Sequence, residues 1–183
     1  RILHLVRDEI REYLPYKVIH LDGVEADDVI GTLTMRTQEF GKDEPIMIVS
    51  SDKDFIQLQK FNNVKQFSPI QKKMVTDENP RTYAFNHIMR GDGGDGIPNV
   101  LSADDTFVTD KSQTPLRQAR INEWLENSDN LKEVMDENTF RNYQRNKKLI
   151  DLTEIPEEIQ ESIINNYVEQ PIAMRMKVLN YLI

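Results

Sequence analysis

Carboxylates gather in three short segments of this 183-residue chain. The segments are GVEADDVIG (23–31), SSDKDFIQL (50–58) and GDGGDGIPNV (91–100). Their acids are Glu25, Asp27, Asp28, Asp52, Asp54, Asp92 and Asp95. Several carboxylates in one place repel one another and cost desolvation energy unless cations neutralise them. If the three segments meet in the fold, they predict a site for divalent metal ions.

The residue types also indicate which metal and which reaction. Oxygen ligands without cysteine or an adjacent histidine favour Mg²⁺, or Mn²⁺ in its place, over zinc. The chain has no cysteine, and His4, His20 and His87 are scattered, so we interpret each histidine as structural or solvated. Two metal ions about 3.5–4 Å apart can clamp both reacting oxygens of a phosphodiester. A nuclease or phosphatase is therefore predicted, and no dinucleotide, Walker or serine-hydrolase motif competes with it.

Each segment also has a structural interpretation. The acids of the first segment lie in the first turn of a predicted helix, where negative charge complements the helix dipole. Asp52, or Ser51 before it, could cap the short helix that follows. The third segment could be a surface turn or a calcium loop, although it lacks the ligand ladder and terminal Glu of an EF-hand. Taken one at a time, the segments leave these alternatives open.

The elements that would position these segments follow an α/β pattern. The apolar run 46–49 predicts a strand buried on both faces of a parallel sheet. Its carboxyl end leads into Asp52 and Asp54, at the place where open α/β sheets bind ligands. We predict helices over 2–14, 24–40 and 53–60 and strands over 17–21, 46–49, 64–67 and 72–75.

Beyond residue 79 the predicted elements are all helical. Asn79-Pro80 is a helix-start signal, the glycine-rich segment follows, and 101–114 is polar and irregular. Further helices are predicted over 115–126, 130–149, 156–169 and 172–183. We therefore predict an α/β metal-binding half over 1–90 and a helical half over 91–183. The chain starts at Arg1 inside a predicted helix, and we interpret this as the mark of a fragment.

Composition narrows the classes of function. The net charge of −8 by itself argues against nucleic-acid binding. Without the seven acids of the three segments, however, the rest of the chain would be close to neutral and could present a basic face. No apolar run is long enough to span a membrane, and no signal-peptide pattern is present. These features predict a cytoplasmic protein, in the host cytoplasm if it is viral, and a monomer.

In their order and spacing, the three segments resemble the successive motifs of the 5′ nuclease family, which includes flap endonucleases and the 5′ nuclease domains of bacterial DNA polymerases. The likeness is nearest to the ribonuclease H branch of T-even bacteriophages. That branch shares NVKQ followed by Ser-Pro, at 63–69 here, and the pattern from Tyr143 to Leu149-Ile150-Asp151. The likeness covers nearly the whole chain.

The resemblance implies a PIN-like parallel-sheet layer that lacks its first strand and helical arch, followed by a helix–three-turn–helix element. It implies a first Mg²⁺ held by Asp27 and Asp52 with support from Glu25 and Asp28, and a second held by Asp54, Asp92 and Asp95. Catalysis would rest on Asp27, Asp52, Asp54 and Asp95. Metal-activated water would hydrolyse phosphodiester bonds and leave 5′ phosphates.

The resemblance further implies substrates and partners. Duplex DNA with a 5′ flap or nick, or an RNA–DNA primer, would be held by the glycine-rich loop and by scattered cations. The residues expected in this role are Arg90, Gly93, Gly94, Gly96, Ile97, Lys111, Arg117 and Arg120. The basic cluster Arg145, Lys147 and Lys148 could add to it. A single-strand DNA-binding protein and a sliding clamp are expected partners.

Two other interpretations stay open at this point. The chain could bind metal and duplex DNA but cut little, because the resemblance places one metal-binding Asp and the arch upstream of Arg1. A phosphatase with an aspartyl nucleophile is the other possibility, with Asp52-Lys53-Asp54 as its Asp-x-Asp. That reading leaves the glycine-rich loop without a role.

Overall fold

The computed structural model describes residues 2–39, 44–109 and 111–171, and the chain divides into two compact units. One unit comprises Arg1–Leu33 with Pro156–Ile183, and the other comprises Thr34–Ile155. The α-helices are α1 (Ile2–Tyr13), α2 (Ala26–Glu39), α3 (Pro80–Arg90), α4 (Gln118–Glu126), α5 (Leu131–Val134), α6 (Glu137–Ile150) and α7 (Glu157–Glu169). The strands are β1 (Ile46–Val49), β2 (Val64–Ser68) and β3 (Lys73–Val75).

Short 3₁₀ helices complete the described elements, at Asp54–Lys60, Ser128–Asn130 and Leu152–Glu154. No helix in the described ranges is both long and apolar enough to cross a bilayer. The helix predicted over 172–183 lies outside the described residues, and the proposed boundary between residues 90 and 91 stays a prediction.

The first unit contains one wrong prediction. Residues 17–21 were expected to form a strand, but they run extended without a strand partner among the described residues. The side chain of Gln170 takes the place of that partner. Its amide oxygen accepts from the Val18 N–H, and its Nε2 donates to the Val18 carbonyl at 2.9 Å. Both backbone groups of Val18 are satisfied in this way, so no second strand is needed there.

The second unit contains a three-stranded sheet in the order β1-β2-β3. β1 and β2 are parallel, with Ile46 opposite Val64, whereas β2 and β3 form an antiparallel hairpin. The strands predicted over 46–49, 64–67 and 72–75 and the α/β class are confirmed. The expectation that β1 is buried on both faces is wrong, because Ile48 is 4% exposed whereas Met47 and Val49 are 52% and 63% exposed. Among the described residues only one face of β1 is covered, so the apolar run does not predict burial on both faces here.

The helices of the second unit pack around one apolar cluster. Its buried members are Met89, Val100, Ile121, Trp124, Leu131 and Met135. The single helix predicted over 130–149 is broken into α5 and α6. The break follows from Asp136, whose carboxylate accepts from the Thr139 N–H at 3.0 Å and starts α6 as its N-cap.

Candidate metal centre and glycine-rich loop

The acids of the second segment are held at the carboxyl end of β1 by local turns. The Asp52 carboxylate accepts from the Asp54 N–H at 3.0 Å, and the Ser50 hydroxyl accepts from the Asp52 N–H at 3.1 Å. Gln66, fully buried on β2, donates its amide to the carbonyls of Ser50 and Asp52. This segment is therefore fixed by the neighbouring strand, and Asp52 also has the turn-forming role that the sequence left open.

The third segment forms a closed loop at the end of α3. Gly91 has φ +67° and its N–H donates to the His87 carbonyl at 2.8 Å, which ends the helix. The Ile97 N–H donates to the Asp92 carbonyl at 2.7 Å and closes an isolated β-bridge. A Cβ at Gly91 would overlap the Ile97 carbonyl oxygen and come within 2.6 Å of the Pro98 carbonyl. Only glycine fits here, for both conformational and steric reasons.

Asp92 is oriented by the loop that it begins. Its Oδ1 accepts from the N–H groups of Gly94 at 2.7 Å and Asp95 at 3.3 Å. Burial by itself would raise the pKa of Asp92, but these two N–H groups and the contact with His87 lower it below the ordinary value. Asp92 is therefore stabilised as a carboxylate, with its Oδ2 directed at His87.

His87 joins the two acidic segments. Its Nδ1 lies 3.2 Å from Oδ1 of Asp54, and its Nε2 lies 3.3 Å from Oδ2 of Asp92. One ligand atom from each of these three residues lies within 4.8 Å of the others. The interpretation of His87 as merely structural or solvated missed this contact. Its position in the last turn of α3, just before the acidic loop, was the signal that could have found it.

The electrostatics around Asp54 leave negative charge without full compensation. Burial raises the pKa of Asp54, and the carboxylates of Asp52, Asp92 and Asp95 raise it further, while His87 acts in the opposite direction. A divalent cation would supply the missing positive charge. The donor set of two carboxylates and an imidazole suits a divalent metal ion, so these residues fit the group that the sequence predicted.

The cluster faces an open cleft with a volume of about 600 Å³. The lining residues that bear on the chemistry are Asp52, Asp54, Tyr83, His87, Arg90 and Asp92. Tyr83 meets the His87 ring edge-on, with 6.2 Å between ring centroids. The cleft thus brings together the carboxylates of the second segment, Asp92 of the third and one cation. A group as large as a phosphodiester would fit within it.

Helix α6 fixes the loop from behind through buried amides. Asn146, fully buried, donates to the carbonyls of Ile88 at 2.8 Å and Pro98 at 2.9 Å. Asn142 donates to the carbonyls of Val100 and Ser102, each at 3.0 Å. Ile88 precedes the glycine-rich segment, Pro98 and Val100 lie at its end, and Ser102 follows it. These bonds therefore hold both ends of the loop. Sequence reasoning did not find these two residues, since asparagine within a helix gives no pattern of its own.

Arg145 and Lys147 both have contacts within the second unit, and their role in DNA binding stays a prediction. Arg145 donates to the Pro98 carbonyl at 2.9 Å and pairs with Asp104. Lys147 pairs with Glu154 and lies 3.4 Å from Asp151. Both charges are therefore largely compensated within the second unit.

The acids of the first segment belong to the other unit. There the Asp28 carboxylate accepts from the Glu25 N–H at 3.1 Å, which caps the first turn of α2. Asp27 lies beside them in the same turn. The helix-start role is thus observed for Asp28, whereas the joining of Glu25, Asp27 and Asp28 with the acids of the second unit stays a prediction.

The residues predicted to hold nucleic acid are distributed around the loop and the start of α4. Arg90 donates to the Gln118 side chain at 2.6 Å, and Lys111 pairs with Asp105 at 3.0 Å. The Arg120 guanidinium lies 4.9 Å from the centroid of the Trp124 ring. The remaining expected contacts are Gly93, Gly94, Gly96, Ile97 and Arg117. Their role in binding stays a prediction.

Two family models match the chain. The model described as T4 RNase H, C terminal, matches residues 71–183, and the model for the N-terminal resolvase-like domain of 5′-3′ exonucleases matches residues 3–85. Among curated proteins, Ribonuclease H of Enterobacteria phage T4 is 34% identical over 185 residues, which is 98% of this chain and 60% of that protein. A 5′-3′ exonuclease of Buchnera aphidicola subsp. Schizaphis graminum is 32% identical over 99 residues, which is 50% of this chain and 34% of that protein.

Solved structures give weaker similarity. A mutant T5 5′-exonuclease is 16% identical, with a TM-score of 0.48, over 82% of this chain and 68% of that one. A T5 protein co-crystallised with metal ions is 17% identical, with a TM-score of 0.49, over 82% and 61% of the two chains.

Proposed function

Because the chain belongs to the T4 RNase H family of 5′ nucleases, we propose that it hydrolyses phosphodiester bonds with the help of divalent metal ions. The proposed substrates are DNA with a 5′ flap or nick and RNA–DNA primers in replication. The chain spans 60% of the length of the T4 relative, so the activity of the whole protein is itself part of the proposal. The observation that carries it is the Asp54–His87–Asp92 cluster, which faces a cleft large enough for a phosphodiester.

The metal ions would be held by the acids of the three segments. In this proposal Asp54, Asp92 and Asp95 hold one ion and Asp27 and Asp52 hold the other, with support from Glu25 and Asp28. When bound, Mg²⁺ or Mn²⁺ supplies charge stabilisation at the phosphate and a water acidic enough to act as a nucleophile at neutral pH. The crowding of Asp54 by three other carboxylates supports this assignment, because each metal ion would relieve their repulsion.

The glycine-rich loop would position the nucleic acid without reading its sequence. The N–H groups of Gly94 and Asp95 are taken by the Asp92 carboxylate. Those of Gly93 and Gly96 donate to no acceptor within the part of the chain that the structure describes. Exposed N–H groups in such a loop bind phosphate oxygens, which fix register and carry no sequence information. Arg90, at the rim of the cleft, would add a charge-assisted contact.

A cleavage assay with a matched pair of variants tests the proposal. The substrate is a 5′-flap duplex labelled at either end, incubated with Mg²⁺, so that product lengths report the polarity of cutting. Asp54→Asn removes one carboxylate of the cluster, and Asp129→Asn makes the same change at an exposed turn far along the chain from the three segments. We expect cutting by the wild type and by Asp129→Asn and a loss of at least about 100-fold in Asp54→Asn.

The other outcomes separate the alternatives. Metal and duplex binding without cutting would support the metal- and DNA-binding interpretation and would argue against catalysis by this chain. Equal cutting by all three proteins would exclude Asp54 from the reaction. Hydrolysis of small phosphomonoesters alone, lost in Asp52→Asn, would favour the phosphatase.

A further inference from the structure

His87 lies in the cleft between the second and third acidic segments, and the proposed function assigns no role to either of its ring nitrogens. Both of its ring nitrogens face a carboxylate oxygen, at 3.2 Å for Asp54 and 3.3 Å for Asp92. Its side chain is 15% exposed, on the edge of the cleft. A ring nitrogen facing a carboxylate either donates a hydrogen to it or shares a cation with it. The two nitrogens could therefore have different roles, one as hydrogen-bond donor and the other as metal ligand.

The surroundings of the two nitrogens differ. Nε2 forms a hydrogen bond with Oδ2 of Asp92 at 3.3 Å, and Asp92 is itself oriented by the N–H groups of Gly94 and Asp95 through Oδ1. Nδ1 lies 3.2 Å from Oδ1 of Asp54 but forms no hydrogen bond with it, so these two atoms lie side by side. Two ligands at adjacent positions of an octahedral ion, each about 2.1 Å away, are about 3.0 Å apart. The 3.2 Å spacing of Asp54 Oδ1 and His87 Nδ1 is close to that value.

We propose that His87 Nδ1 is a nitrogen ligand of the metal ion held at Asp54, and that Asp92 orients the ring by accepting from Nε2–H. Metal-binding histidines almost always donate their other ring N–H to a carboxylate or carbonyl, which is the arrangement found at Asp92. The proposal rests on the proposed function for the metal itself. It changes the expected site from all oxygen to mixed nitrogen and oxygen.

A nitrogen ligand has a consequence for which metal is preferred. Mg²⁺ favours oxygen ligands, whereas imidazole suits transition metals and raises affinity along the series from Mn²⁺ onward. This site should therefore prefer Mn²⁺ over Mg²⁺ more strongly than an all-carboxylate site would. Replacing His87 by glutamine removes that nitrogen and should weaken Mn²⁺ binding at this site about tenfold or more. Mg²⁺ affinity should fall less, so the preference for Mn²⁺ should shrink.

Pulsed EPR of the Mn²⁺-loaded chain tests the ligand directly. A coordinated imidazole nitrogen modulates the electron spin echo with a ¹⁴N coupling, and incorporation of ¹⁵N-histidine changes that modulation without altering the protein. His87→Gln is compared with His20→Gln, because His20 is also a histidine beside an aspartate, 3.9 Å from Asp22, but is 47% exposed. We expect ¹⁴N modulation in the wild type and in His20→Gln and its loss in His87→Gln.

The outcomes distinguish this inference from the proposed function. Bound Mn²⁺ without ¹⁴N modulation in the wild type, or modulation that persists in His87→Gln, would overturn the role of His87 and leave the metal site intact. A wild-type chain that binds no Mn²⁺ would overturn the metal dependence and the inference together. The ¹⁵N-labelled wild type shows whether a histidine binds the ion even if His87→Gln folds poorly, and the labelled His20→Gln variant separates His87 from His20.

Discussion

Replacing Asn146 by alanine removes the buried amide that joins α6 to both ends of the glycine-rich loop. The last carbonyls of α3 have no partner within the helix, and three of them accept from groups outside it. The Gly91 N–H donates to His87, the Val100 N–H to Met89, and the Asn146 side chain to Ile88. The Ile88 carbonyl has no other donor within the described residues. The substitution therefore leaves it unpaired and buried.

The magnitude follows from what each lost bond leaves behind. An unpaired buried carbonyl costs about 1–3 kcal/mol. The Pro98 carbonyl keeps the Arg145 guanidinium as a second donor, so its loss is about 1 kcal/mol. A small cavity in a fully buried position adds to this. We expect Asn146→Ala to lower the free energy of unfolding by about 3 kcal/mol.

Trp124 provides the probe for this measurement. It is the only tryptophan of the chain, it is 2% exposed, and it lies in the apolar cluster of the second unit. Denaturant unfolding followed by its fluorescence gives the free energy of unfolding of that unit. Asn138→Ala is the matched control, since it makes the same change on an exposed position of the same helix. A difference below about 0.5 kcal/mol between the two variants would refute the stabilising role assigned to the hydrogen bonds of Asn146.

Two further predictions concern the loop and its support. Gly91→Ala should destabilise the second unit by more than about 2 kcal/mol in thermal melts, because the new Cβ overlaps the Ile97 carbonyl oxygen. The control is Gly23→Ala, which has a similar φ of +76° but open space around the new Cβ, and it should cost only about 1 kcal/mol. Hydrogen bonds from Arg141 and Arg145 lower the pKa of Asp104 from 3.8 to about 2, so its stabilising effect is present above pH 4 and lost as the pH falls to about 2. The difference in unfolding free energy between wild type and Asp104→Asn should shrink over that interval, and a constant difference would contradict the assignment.

The sequence by itself determined the local elements and the chemistry of the acidic segments. Helical periodicity located α1, α2 and α7, and the Asn79-Pro80 signal located the start of α3, where Asn79 accepts from the Thr82 N–H at 3.0 Å. The alternation around 64–75 located the β2–β3 hairpin. These features depend on residues only a few positions apart, so the local sequence pattern is enough to predict them. The same is true of the three motifs that indicated the family.

Tertiary structure alone decided which side chains meet. His87 contacts Asp54 because α3 packs against the 3₁₀ helix that begins at Asp54, and no periodicity within either segment predicts that pairing. The bonds from Asn142 and Asn146 to the loop likewise join residues more than 40 positions apart. The strand predicted over 17–21 does not form for a related reason, because the Gln170 side chain, 152 positions along the chain, supplies the hydrogen-bond partners of the Val18 backbone. Local sequence sets the backbone conformation, whereas long-range packing chooses the partner of each buried polar group.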